Sequence, residues 1–241
     1  MRTTIRLPRT LRLLGATTGR VARDKSGLAL LEFAFAMPIV LMIGLYGIET
    51  ANLALINMRV SQIALNLADN ASRVGLLNNV NIEQLREVDM NDVLVATRNQ
   101  GDTIDLTTNG RIIVSSLEKK ADGTQRIHWQ RCLGKKSGTG YDSSYGTTTT
   151  TAGTDTQASN AGTLAPSGMG DAGSEVNAPV SGGVMFVEIN YLYEPVVGDW
   201  LFGQSRIHYI ASYVVRDNRD FAQLYNPSPA ATRSTCNLYT T

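Results

Sequence analysis

The sequence predicts an α+β protein in which one long N-terminal helix precedes a small antiparallel sheet of about four strands. A run of 21 residues from Leu28 to Ile48 is apolar except for one residue, and helical spacing of apolar residues continues beyond it. Alternation with a period of two begins only after residue 110. Helices that come first in the chain and strands that follow are typical of α+β folds with segregated elements.

The apolar run is long enough to cross a membrane. Glu32 is its only charged residue, and at about 1.5 Å of rise per residue the run covers roughly the 30 Å thickness of the hydrocarbon layer. The preceding residues 1–27 contain seven basic residues and one acidic residue, a net charge of +6. Because Lys and Arg stay on the cytoplasmic side, the pattern predicts a single-pass envelope protein with a cytoplasmic N-terminus and an exported remainder.

The helix is expected to continue past the membrane as an amphipathic helix that ends near Gly75. Its apolar positions recur every three or four residues, at Ile56, Val60, Ile63, Leu67, Ala71 and Val74. A second, short helix is predicted from Asn81, a candidate N-cap, to about Arg98.

Four strands are predicted after these helices. Arg111–Lys119 and Gln125–Cys132 are rich in β-forming residues and flank Asp122-Gly123, which predicts a hairpin. The other two strands are Val184–Tyr193 and Arg206–Val215, each with alternating apolar residues.

The segment between the two strand pairs consists mainly of Gly, Ser, Thr, Ala and Asn. It has few large apolar residues, so we expect a long exposed or disordered loop whose threonines could be glycosylated or could contact a surface. The predicted organisation is a cleaved leader at 1–27, the membrane part of the helix at 28–50, an exported helical and hairpin region at 51–134, this loop at 135–183, and the C-terminal strands and tail at 184–241.

Two cysteines, Cys132 and Cys236, lie in the exported region. An oxidising compartment permits a disulfide between them, and only one intramolecular pairing is possible. Two buried, reduced thiols are the alternative.

The junction of the leader and the apolar run, from Ser26 to Phe33, resembles a type IV prepilin processing site, and this resemblance implies cleavage between Gly27 and Leu28. A glutamate, Glu32, is then the fifth residue of the processed chain, and the apolar anchor is retained, whereas a secretory signal is cut after its apolar region. No basic residue lies three or four positions from Glu32, so a cation from another subunit, such as the new α-amine of Leu28, is a candidate partner. The alternative is that Glu32 extends to the cytoplasmic headgroups.

These residues resemble those of the TadE-like family of the tight-adherence (Tad/Flp, type IVb) pilus. The similar positions are Gly27, Glu32-Phe33, Met37-Pro38, Gly47-Ile48-Glu49, Asn70-Ala71-Ser72-Arg73 and Val215-Arg216-Asp217. The resemblance implies a pilin-like fold, cleavage by a prepilin peptidase, assembly through Glu32 and Phe33, and a place in the bacterial inner membrane with a periplasmic domain. It implies other pilus subunits and the inner-membrane assembly platform as partners, and pilus assembly and surface adhesion as the function of a minor pilin or pseudopilin.

Pro38 within the run and Glu49 directly after it have simpler explanations. Pro38 removes one helical hydrogen bond, so we expect a kink or a locally melted turn there. Glu49 lies at the far end of the run, where we expect it to sit at the membrane interface beside solvent.

The sequence gives no support for an enzyme, a metal site, a cofactor, nucleic-acid binding or a small-molecule substrate. Common catalytic motifs are absent, and the two histidines, His128 and His208, lie in predicted strands. Four acidic residues could pair in space but are expected at the surface: Glu188, Glu194, Asp199 and Asp217. An uncleaved single-pass envelope protein that binds a partner is the alternative function, and a membrane-tethered hydrolase is a more distant one.

Overall fold

A computed structural model of the protein describes Lys25, residues 27–198, Trp200 and residues 203–241. The chain divides into two compact units, residues 1–50 and residues 51–241. Helix α1, Leu28–Arg73, begins in the first unit and ends in the second. The prediction of one long helix that starts at Leu28 and stops before Gly75 is therefore confirmed.

The second unit is an α+β domain built on a five-stranded antiparallel sheet. Besides the end of α1, its elements are β1 (Leu76–Leu77), β2 (Glu83–Gln84), α2 (Glu87–Gly101), α3 (Leu106–Asn109), β3 (Gly110–Lys119), β4 (Gln125–Leu133), β5 (Thr163–Leu164), β6 (Gly182–Tyr193) and β7 (Ser205–Val214). The strand order of the large sheet is β5-β4-β3-β6-β7, and every neighbouring pair is antiparallel. All four predicted strands are present. The two-residue β5 was not predicted.

The main core lies between the helices and one face of the sheet. The predicted stripe on α1 is buried there, with Val60, Ile63, Leu67 and Ala71 in the core and Ile56 and Val74 packed at its margin. The alternating residues of β6, from Val187 to Tyr193, face the same core. The apolar spacing of α1 and the alternation of β6 thus predicted correctly which residues face this core, because those residues remove apolar surface from water.

The second face of the sheet is covered by the segment that was expected to be an exposed or disordered loop. Ala165, Met169 and Ala178 of this segment are buried against a cluster of sheet residues, which comprises Leu117, Ile127, Val184 and Phe186. Gln125 holds the segment at two points, because its amide donates to the carbonyl of Ala165 at 2.8 Å and accepts the N–H of Ala178 at 2.8 Å. The expectation failed because small side chains and backbone hydrogen bonds suffice to cover a sheet that supplies the large apolar residues.

The second helix begins later than the sequence predicted. Asn81 does not cap a helix; it has a left-handed backbone, with a φ of 57°, in the turn between β1 and β2. Asn78 shapes this turn by accepting the N–H groups of Val80 and Ile82 at 2.9 and 3.0 Å. Helix α2 instead starts at Glu87, and Asp89 in its first turn accepts the N–H of Arg86 at 3.1 Å.

Candidate processing and assembly site

The predicted cleavage junction lies at the first turn of α1. Gly27 and Leu28 are both exposed. The N–H of Leu28 donates to the carbonyl of Lys25 at 3.2 Å, and the N–H of Leu31 donates to the carbonyl of Gly27 at 3.1 Å. The first N–H groups of a helix have no acceptor within the helix, so this turn is held less strongly than the helix interior. The basic leader itself lies almost entirely outside the described residues.

Glu32 and Phe33 are exposed on α1, with Phe33 60% exposed. Among the residues that the structure describes, no basic side chain forms an ion pair with Glu32. The neighbouring large side chains Leu28, Leu31 and Phe35 are at least half exposed. Glu32 is therefore a single carboxylate within an apolar surface. In a membrane, a cation from another molecule would stabilise such a charge.

Pro38 and Glu49 differ in part from what the sequence predicted. The helix is continuous through Pro38, so no turn is melted there. Glu49 is fully buried, which contradicts the expectation that it lies beside solvent.

Cys132 and Cys236 form a disulfide in the structure, with their Cα atoms 4.8 Å apart. The tail also pairs with the sheet around this bond. The N–H of Cys132 donates to the carbonyl of Ser234, and the N–H of Gly134 donates to the carbonyl of Thr240, both at 2.7 Å. The C-terminal tail therefore lies along the edge of β4.

Arg111 holds the same tail from the face of the sheet. Its guanidinium donates to the carbonyls of Gly134 at 2.9 Å and Leu238 at 2.8 Å, and also to that of Cys236. The ring of Tyr239 covers the guanidinium at 4.3 Å. Burial lowers the pKa of Arg111. From the sequence, Arg111 is predicted only to lie in a strand, because its carbonyl partners lie up to 127 residues away.

Arg219 closes the C-terminal end of α1. Its guanidinium donates to the carbonyls of Ala71, Ser72 and Val74 at 3.2, 3.1 and 2.9 Å, and it pairs with Asp217 at 2.8 Å. The last carbonyls of a helix have no donors within the helix, and they carry partial negative charge. A buried guanidinium supplies the missing donors and a compensating positive charge. No pattern in the sequence predicts this role of Arg219, because its partners are backbone carbonyls of a distant helix.

Both histidines lie in strands, as predicted, and each contacts a polar side chain. In β4, Nδ1 of His128 lies 2.7 Å from Oε2 of Glu118. In β7, Nδ1 of His208 lies 2.7 Å from Oδ1 of Asn190. Burial, and to a smaller extent the charge of Arg206, lower the pKa of His208.

The acidic residues singled out in the sequence occupy different environments. Glu188, expected at the surface, is buried in β6, where it accepts the hydroxyl of Ser143 at 2.5 Å and the N–H of Ser144 at 3.0 Å. Burial raises the pKa of Glu188. Glu194 is exposed, Asp217 pairs with Arg219, and Asp199 lies outside the described residues.

The described part of the chain contains no group of three or more His, Cys, Asp or Glu side chains arranged to hold a metal ion. No family model, curated protein or solved structure matches this chain. The resemblance to TadE-like proteins therefore rests on the N-terminal motif and on the positions that agree with it along α1 and after β7.

Proposed function

We propose that this protein is a minor pilin or pseudopilin of a tight-adherence type IV pilus system. In this proposal a prepilin peptidase cleaves it between Gly27 and Leu28, and the processed protein acts in pilus assembly and surface adhesion. The main support is the exposed apolar first part of α1, which begins at Leu28, directly after Gly27, and has the carboxylate of Glu32 as its fifth residue.

The exposure of α1 favours a membrane over a protein core as its surroundings. Among the described residues, α1 is the one helix long and apolar enough to span a bilayer, and no residue of its most apolar 18-residue window is buried. Leu30, Phe35 and Ile43 are 74%, 70% and 68% exposed although they point in different directions around the helix. A helix that is apolar on all sides is stable when lipid or other apolar helices surround it. Signal sequences share this composition, so the position of the cut distinguishes the two classes.

The disulfide agrees with the proposed topology. Disulfides persist in the periplasm and outside the cell, and they are rare in the cytosol. The strongly basic residues 1–27 favour a cytoplasmic position for the opposite end, because Lys and Arg are retained on that side of a membrane. In this proposal the protein is inserted into the inner membrane, and its disulfide-bonded domain lies in the periplasm.

Mass spectrometry of the mature N-terminus in a host with a prepilin peptidase tests the processing step. We expect Leu28 as the first residue, and we expect Gly27→Leu to leave the leader attached. Gly27 is exposed, and a Cβ atom there would meet no atom within 4 Å, so we expect this substitution to act on recognition by the peptidase. An intact leader on the wild-type protein would favour the uncleaved single-pass alternative, and Leu28 as the first residue of the variant would contradict the processing model.

Glu32→Gln tests the assembly step separately, because it removes the charge and keeps the shape. We expect normal insertion and cleavage but reduced co-purification with other pilus components. Leu30→Met, at an exposed apolar position two residues away, is a matched control that leaves the charge unchanged. Normal piliation in the Glu32 variant would contradict a role of Glu32 in assembly. It would favour the alternative in which Glu32 contacts only the lipid headgroups.

A further inference from the structure

The two long C-terminal strands run alongside the part of α1 that belongs to the second unit. Nδ2 of Asn52, near the start of that part, donates to the hydroxyl of Tyr193, the last residue of β6, at 2.9 Å. Near the end of β7, Tyr213 lines a surface cavity together with Asp69 of α1. Residues 52–73 of α1 and strand β7 are each roughly 30 Å long, at about 1.5 and 3.3 Å per residue. Strand β7 therefore runs in the same direction as α1, and β6 runs in the opposite direction.

These directions place the connection between β6 and β7 at the end of the second unit where α1 enters it. The connection begins at Glu194, directly after the Tyr193 that contacts Asn52. Asn52 comes four residues after Ile48, the end of the apolar run, which is about 6 Å along the helix axis. The headgroup layer on each side of a bilayer is roughly 5–8 Å thick. A span that ends at Ile48 therefore puts Asn52, and the start of this connection, at the outer edge of the headgroup layer.

The connection between β6 and β7 exposes large apolar side chains. The structure describes it at residues 194–198, Trp200 and 203–204. Val196 and Trp200 are both 72% exposed, whereas Trp129, the other tryptophan of the chain, is 3% exposed in the core. The indole of Trp200 lies over the backbone of Gly198, where a Cβ atom would be 3.1 Å from Cδ1 of the ring. The φ of 116° at Gly198 also favours glycine, so the turn holds the indole with most of its area facing the surroundings.

The chemistry of this connection matches the surface of a membrane. A tryptophan ring is large and apolar but carries a polar N–H, and tryptophan is therefore enriched at the headgroup level of membranes. Residues 194–204 contain two acidic residues and no basic residue, so attraction to anionic lipids does not contribute here. The connection therefore fits a surface of zwitterionic lipid, which it contacts through apolar and aromatic side chains.

We propose that Val196 and Trp200 lie in the headgroup layer of the membrane that α1 spans. In the topology of the proposed function this is the periplasmic leaflet. The contact attaches the second unit to the bilayer at a second place besides α1. The inference rests on the membrane topology of the proposed function and is independent of cleavage after Gly27, because α1 and the connection are the same before and after processing.

Fluorescence quenching tests this position in the full-length protein, reconstituted into phosphatidylcholine vesicles. The acyl chains carry bromine either near the headgroup or near the methyl end, and bromine quenches a tryptophan that it contacts. We expect bromine near the headgroup to reduce the fluorescence of the wild type, and bromine near the methyl end to reduce it less. Trp200→Phe leaves Trp129 as the remaining tryptophan and should show no loss, because Trp129 is buried in the core.

A tryptophan at the opposite end of β6 is the matched control. Val180 is 63% exposed and precedes the first residue of β6, so the whole length of this strand separates it from the connection. Val180→Trp in the Trp200→Phe protein supplies an exposed indole there, and we expect neither lipid to quench it. An intact Cys132–Cys236 disulfide verifies the fold of each variant.

Resistance to extraction by alkaline carbonate reports separately on the span. Resistant wild-type protein without quenching of Trp200 would overturn this inference and leave the proposed membrane topology intact. Equal quenching of the Val180→Trp protein would also overturn it, because the lipid contact would not be specific to the connection. Equal or stronger quenching from the methyl end would contradict the headgroup position. Extraction of the wild type by carbonate would overturn the membrane topology and this inference with it.

Discussion

Glu87 and Arg131 form an ion pair that is almost completely buried between α2 and β4. Nε of Arg131 donates to Oε2 of Glu87 at 2.8 Å, and Nε of Arg233 in the tail lies 3.2 Å from Oε1 of the same carboxylate. Removal of one member of a buried pair typically costs about 3–5 kcal/mol, because the other charge is left without a partner in a poorly solvated site. The ion pair therefore fixes the position of α2 on the sheet, and the contact with Arg233 fixes the tail beside it.

Glu188 lies in a different environment, without a cation among its hydrogen-bond partners, and this predicts a pH effect. Burial raises its pKa above the ordinary value of 4.5, so the folded state binds this proton more tightly than the unfolded state. The stabilisation is fully present below that ordinary value and is lost as pH rises through the raised pKa. We expect the free energy of unfolding of the wild type to fall relative to that of Glu188→Gln as pH increases from about 4 to 7.

Denaturant unfolding of both proteins across this pH range measures the difference. Other titrating groups are common to the two proteins and cancel in the comparison. Ser143→Ala is a useful control, since it removes a hydrogen bond to Glu188 and keeps the carboxyl group. A difference between wild type and Glu188→Gln that does not vary with pH would contradict the prediction.

At the scale of secondary-structure elements, the end of α1 depends on a side chain that follows the last strand. Arg219 is 7% exposed and donates to three carbonyls at the C-terminus of this helix. We expect Arg219→Met to reduce the free energy of unfolding by about 2–4 kcal/mol, because buried carbonyls and Asp217 would lose their partner. Arg216→Met is the matched control at an exposed position and should change stability by no more than about 0.5 kcal/mol.

Fluorescence of the buried Trp129 during denaturant unfolding measures both variants. Equal effects of the two substitutions would show that Arg219 does not stabilise the helix terminus through these hydrogen bonds.

The segment after β4 shows the limit of reading elements from composition. Its small polar residues predicted an exposed loop, yet it covers one face of the sheet. Gly162 illustrates the reason. It has a φ of 76°, and a Cβ atom there would lie 2.0 Å from the carbonyl oxygen of Ile127. A glycine that composition assigns to flexibility is required here for close packing on the neighbouring strand.

At the scale of the whole molecule, the Cys132–Cys236 disulfide closes a loop that contains this covering segment and the last two strands. The bond joins residues 104 positions apart. The chain-entropy model gives a stabilisation of at most about 4–5 kcal/mol for a loop of this size. We expect the double substitution to serine to lower the free energy of unfolding toward that limit and to release the tail from β4.

Thiol labelling of the exported, unreduced protein under denaturing conditions tests whether the bond forms. We expect label only after reduction, with a reduced sample as the positive control. Label on both cysteines before reduction would rule the bond out and leave the tail held by Arg111 and backbone hydrogen bonds.

The sequence by itself determined the start and end of α1, the buried side of that helix, and four of the five strands of the large sheet. These features depend on the spacing of apolar residues over about ten to twenty neighbouring positions, which is visible without any knowledge of distant contacts. The apolar start of α1 and its motif at Gly27 and Glu32 also depend only on neighbouring residues in the sequence. They are also the basis of the proposed function.

Only the tertiary structure decided the strand order, the cover over the second face, the roles of Arg111 and Arg219, and the place of β7 at an edge. Arg111 contacts a carbonyl 127 residues away, and Arg219 contacts one 148 residues away. Such contacts leave no periodic signal, because each is a single pair whose partner is a backbone group that every residue has. The position of β7 at an edge of the sheet is likewise a tertiary feature, since it follows from the strand order and not from the residues of β7 themselves.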